Sequence, residues 1–143
     1  MSLKNPNKYI RKTYLTLLAG IGVPIYDKRL PNDKGIPKTY VLIQNQTKTE
    51  VNRTKCDKMW NIITAIDIYT RANRGYADSA IVDDIEEQIT NILSPGVNTD
   101  ISFDNFITYN TIVLQPVDAP MDTPMETILH RVLRIQHIIG ASA

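Results

Sequence analysis

The 143 residues amount to about one domain, and 43% apolar with 22% charged residues is ordinary for a globular chain with a real core. A net charge of +1 supplies no global pull toward nucleic acid or a membrane surface, and a single cysteine, Cys56, excludes a disulfide framework. No apolar run approaches the roughly 20 residues of a membrane helix, and the first residues lack the apolar core of a signal peptide, so a cytosolic origin is expected.

Asn5-Pro6 reads as a helix N-cap followed by proline at the first helical position. Ile10, Tyr14, Leu17 and Leu18 then mark one helical face, with Lys8, Arg11 and Lys12 opposite as a solvated basic face, and Gly20 and Gly22 end the helix. Val23 to Asp27 is long enough only for an edge strand, a placing that Pro24 supports. Leu30 to Lys38, with two prolines and a glycine, is a loop, and Tyr40 to Thr47 alternates as a strand whose far end becomes wet. Lys48 to Lys58 is polar and longer than a hairpin turn requires, which makes it a functional arm or a mobile one.

The stretch Met59 to Leu93 anchors the rest. Trp60, Ile62, Thr64, Ile66 and Ile68 alternate with Ile63, Ala65, Asp67 and Tyr69, apolar on both faces, as a central strand covered on each side would be. After Arg71 to Gly75 the period lengthens to a helix with Ile81, Ile85, Ile89 and Ile92, widened by Val82 and Leu93, on its inner stripe. Asp83, Asp84, Glu86 and Glu87 lie on its other side, Asp78 sits in its first turn, and Ser94-Pro95-Gly96 stops it. Val97 to Asn105 reads as irregular, Phe106 to Gln115 as a strand, Pro116 to Pro124 as a proline-stiffened loop, and Ile128 to Ile139 as a long last strand. The expected fold is a single α+β domain over 1–143, a mostly antiparallel sheet of four to five strands packed by two helices, with a long hairpin arm.

No constellation for catalysis emerges. The glycines form no phosphate-cradling motif. His130 and His137 are an odd number of residues apart on one strand, hence on opposite faces, and cannot share a metal. Cys56 lacks the neighbouring histidine or second cysteine that would activate it. Asp67, an acid in a central strand, requires a partner: an arginine such as Arg131 or Arg134, or else Asp83 or Asp84 in a metal-dependent nuclease. An RNA- or peptide-binding module is a further alternative, although the aromatic residues do not cluster in the sequence. No catalytic, cofactor or metal residues are assigned.

Three patches, GVPIYDKRLP…PKTYVLIQ, ITAIDIYTRANRGYADSAIVDDIEEQI and LHRVLRIQ, together resemble the tail terminator and head-to-tail joining proteins of tailed bacteriophages. The resemblance spans most of residues 9 to 139, with Tyr26, Pro31, Asp67, Tyr69 and Arg131 as matching points. The chain departs in its longer arm, its proline-rich loop, and tyrosine where the family commonly has tryptophan. The resemblance implies a non-enzymatic virion protein without cofactor, assembled in the bacterial cytoplasm. It would form a ring at the head–tail junction, of six or alternatively twelve copies, touching the tail tube protein and the head connector while DNA only passes through. Lys48, Val51, Arg53, Lys55 and Lys58 of the arm, with Asp118 and Met121 of the proline-rich loop, are then the expected contacts with neighbouring subunits or partners.

Overall fold

The computed structural model describes residues 5–27, 37–51, 59–73, 78–94, 103 and 105–141. Helix α1 spans Pro6–Leu18, its N-cap Asn5 accepting from the Asn7 amide as the sequence implies. Strands β1 (Ile25–Asp27), β2 (Thr39–Glu50) and β3 (Met59–Asn73) precede helix α2 (Ser79–Leu93). Strands β4 (Phe106–Val113), β5 (Val117–Asp118), β6 (Met121–Asp122) and β7 (Glu126–Ala141) complete the chain. They form one sheet in the order β1-β2-β3-β7-β4, with β5 and β6 also on β7; β1 runs parallel to β2 and the other pairs are antiparallel. The α+β class is therefore confirmed, with more strands than the four to five expected.

The alternation in β3 decides where the core lies. Trp60, Ile62, Thr64, Ile66, Ile68 and Thr70 are buried and pair across with Ile139, His137, Ile135, Leu133, Arg131 and Leu129 of β7. Both helices cover this face: Ile10, Tyr14 and Leu18 of α1 and Val82, Ile85, Ile89 and Leu93 of α2 close the cluster. The second face of β3 is only half-buried at Ile63, Ala65 and Tyr69, so the strand is not sealed equally on both sides as its composition suggests. Helix α2 buries Val82, Ile85, Ile89 and Leu93 of the expected stripe and leaves Ile81 exposed at its margin. Asp78 is its N-cap, accepting from the Ala80 amide.

Arg11 corrects the reading of α1's basic side as solvated. It is 9% exposed, because β2 bulges between Ile43 and Gln46 and turns the Ile43 and Gln44 carbonyls toward it at 3.1 and 2.7 Å. Its guanidinium also pairs with Asp27 of β1. One cation thus satisfies a bulge and fastens the short parallel edge strand.

The proline-rich stretch is corrected as well. It follows β7 in two short ladders, Val117 opposite Val132 and Met121 opposite Ile128, with the Ala119 amide donating to the His130 carbonyl at 2.8 Å. Pro116 and Pro120, lacking an N–H, fall where the ladder is interrupted. A turn at Thr123, whose hydroxyl accepts from the Glu126 amide at 3.0 Å, leads into β7.

Candidate assembly interface

Two edges end the sheet. On one side β1 covers only Val41 to Ile43 of β2, leaving the outer side of the remainder of β2 with no strand partner among the described residues. On the other side β4, β5 and β6 form one interrupted edge along β7. Ile107 pairs with Gly140, Ile112 with Gln136, Val117 with Val132 and Met121 with Ile128, all on the face away from the helices. Exposures of 46, 39, 50 and 57% make them an apolar stripe in solvent, and a bulge after Thr108 turns out Tyr109 at 53%. Met125 at the hairpin turn is 83% exposed. Among the described residues, six of the nine large apolar side chains found exposed thus lie between residues 107 and 125, a concentration that makes this edge the candidate contact surface.

The helix side of the same edge carries carboxylates. Asp118 accepts from Arg131 Nε at 2.6 Å, and the same guanidinium reaches Asp83 at 2.5 Å and Glu86 at 3.7 Å. This fork ties β5 to α2 and leaves three acids around one cation. Asp122 accepts from the Thr127 hydroxyl at 2.7 Å.

The expected interface residues divide. Asp118 and Met121 lie on this edge. Lys48 lies in β2, within the ladder rather than in an arm, its Nζ donating to Asn5 Oδ1 at 3.3 Å. Val51 is 41% exposed and its amide donates to the Met59 carbonyl at 3.0 Å, so the first four residues of the supposed arm continue the hairpin. Arg53, Lys55, Lys58 and Cys56 lie outside the described residues. Val51 sits at the level of Gly140 and Met121 at that of Ile128, about 40 Å apart at strand spacing, so the two groups form separate patches.

Nor do the carboxylates of the nuclease alternative converge. Asp67, 6% exposed, faces away from the helices opposite Val132, whereas Asp83 meets Arg131 on the helix side. Asp67 pairs with neither Arg131 nor Arg134: its oxygens lie 3.5 Å from His130 Nε2 and from the Tyr69 hydroxyl. Among the described residues no group of three or more histidine, cysteine or acidic side chains is placed to hold a metal. The tyrosines, scattered in sequence, do cluster. Tyr40 stacks on Tyr69 at 5.0 Å and Tyr69 on His130 at 4.2 Å, with Tyr26 edge-on to Tyr40. Burial pushes the Tyr69 hydroxyl up to about 12, with the Asp67 charge adding to it. Both faces of Tyr69 are occupied by neighbours, and Tyr40 is 6% exposed, so the row packs the sheet rather than offering rings to bases. His137, on the helix face, is fully buried between the Tyr14 hydroxyl and Thr111 Oγ1 at 2.9 Å.

No protein-family model matches the chain, and no curated protein does. Among solved structures it shares its fold with a chain of the virion of a native gene transfer agent particle. The TM-score is 0.63 at 17% identity, covering 89% of this chain and 90% of that one.

Proposed function

We propose that the protein is a structural, non-enzymatic component of a phage-like virion that forms a ring at the head–tail junction, ending the tail tube and presenting a surface to the head connector. The observation that supports this most is the fold shared with a gene transfer agent virion chain over about nine-tenths of both chains. The sequence resemblance to tail terminators points the same way, and the exposed edge from Ile107 to Met125 is what a subunit built for contacts requires. Its partners are then further copies of itself, a tail tube protein and a connector protein. Deleting the coding sequence from the genome that specifies the particle should leave filled heads and tails unjoined, with infectivity restored by expression in trans. Joined, infectious particles from the deletion would contradict the reading.

A further inference from the structure

The near-neutral net charge conceals a division. Residues 1–74 hold fourteen of the sixteen lysines and arginines against five acids, and residues 75–143 hold two against ten, so +1 is the balance of +9 and −8. No lysine or arginine falls between Arg74 and Arg131. For the described residues, the topology turns this order into two sides. Helix α1 lies along β1 and β2, at one end of the sheet, and reaches inward to β7 and β4 through its aromatic rings, Tyr14 on His137 and Tyr9 on Phe106; α2 packs on β3 and β7, toward the end formed by β4, β5 and β6. Among the described residues, Lys8, Lys12, Lys38 and Lys48 are exposed on the first side against Asp27 and Glu50, and Asp83, Asp84, Glu87, Asp118 and Asp122 on the second against Arg134.

We propose that copies of this chain dock head to tail, the acidic and apolar β4–β6 edge of one copy against the basic α1–β2 side of the next. The inference rests on the ring reading above and names its contact. A second copy is the occupant because the chain carries the electrostatic complement of its own edge at the opposite end of its sheet, as a heterologous interface demands. Edge-to-edge pairing about a two-fold axis would instead bring Asp118 and Asp122 against their own copies, and like charges disfavour it. The outer side of β2 beyond Ile43, where Lys48 lies, is the stretch left uncovered by β1. The bulge at Tyr109 and the prolines at 116 and 120 break the β4–β6 edge as a template for indiscriminate strand addition, so side chains carry the recognition.

Sedimentation velocity of the whole chain tests the contact with Val117→Lys/Met121→Lys on one side and Lys12→Glu/Lys48→Glu on the other. All four positions are exposed, and thermal melts establish that each variant is folded; Lys12→Gln/Lys48→Gln substitutes for the glutamate pair if it is not. Wild-type protein should self-associate. Raising salt from about 0.05 to about 0.5 M shortens the screening length from roughly 14 to roughly 4 Å, and should weaken association about tenfold or more. Each variant alone should sediment as a single 16.2 kDa chain, and an equal mixture should give a species of two chains, since one intact side remains on each. If both variants assemble as wild type does, the contact is overturned while the ring reading stands. A lysine-side variant that forms dimers by itself would mean edge-to-edge pairing and also overturn it. Wild-type protein that remains a single chain throughout overturns self-docking, and the deletion experiment then judges the ring separately.

Discussion

Ile66 and His137 show how far single residues carry the fold. Ile66 is fully buried between Ile43 and Leu133 under the helices, the position its place in the alternation of β3 predicts. Ile66→Ala should cost about 2–5 kcal/mol in urea unfolding, and an unchanged midpoint would mean that its packing is misassigned. His137 is the less obvious case. Burial among Tyr14, Thr111 and Phe103 lowers its imidazole to about 4, while the unfolded chain takes up a proton near its ordinary value of 6.5. Because the folded value is depressed, its contribution to stability is complete above about pH 6.5 and is lost as pH falls toward 4, on the order of 3 kcal/mol in all. Between pH 6.5 and 5, above most carboxylate titrations, wild type should therefore lose stability faster than His137→Gln. Parallel pH profiles would show that His137 is not the group responsible. The opposite faces of the two histidines follow from their spacing alone. That one would be buried neutral does not, because Tyr14 and Thr111 meet it from distant parts of the chain.

At the scale of elements, the β5 segment depends on side chains as well as its short ladder. Arg131 holds Asp118 to Asp83, so Arg131→Ala should speed amide exchange at Ala119. Since Asp118 and Asp83 are themselves largely exposed, the global cost should stay near or below about 1 kcal/mol. Unaltered exchange would show that the backbone pairing alone fixes the segment. The hairpin of β2 and β3 makes a complementary prediction. Its ladder reaches Glu50 opposite Trp60, so replacing residues 52–58 by a tight Asn-Gly turn should leave the melting temperature nearly unchanged. If the replaced residues contact a neighbour, as the ring reading holds, the shortened chain should fail to join tails. Full joining would reduce them to a tolerated insertion. The helices, β3 and β7 were legible because their apolar periods are long and regular. The segment at Pro116 to Pro124 was not, since three prolines argue for a loop and only pairing with distant β7 residues makes its intervening dipeptides strands. Arg11 was misread for a related reason: a helix pattern alone gives no sign of a bulge in β2.

For the whole molecule, the sheet ends matter more than any pocket or titrating group. Asp118 and Met121, expected as contacts from the loop they occupy, lie on an exposed edge, yet the apolar stripe that includes Met121 runs back through Val117 and Ile112 to Ile107 and needs the β7 register to be seen. The charge division was present in the sequence all along, and counting by halves rather than by total reveals it. Only the strand order shows that the strands of the two halves, as far as they are described, lie toward opposite ends of one sheet. The most direct measurement is cryo-electron microscopy of intact particles carrying this chain, with the head–tail junction reconstructed at a resolution that distinguishes side chains. The account predicts a closed ring of this fold at the upper end of the tail tube, with β4 to β6 of each copy facing the α1–β2 side of its neighbour. A junction built entirely of other chains, with this protein elsewhere or absent from the particle, would contradict it.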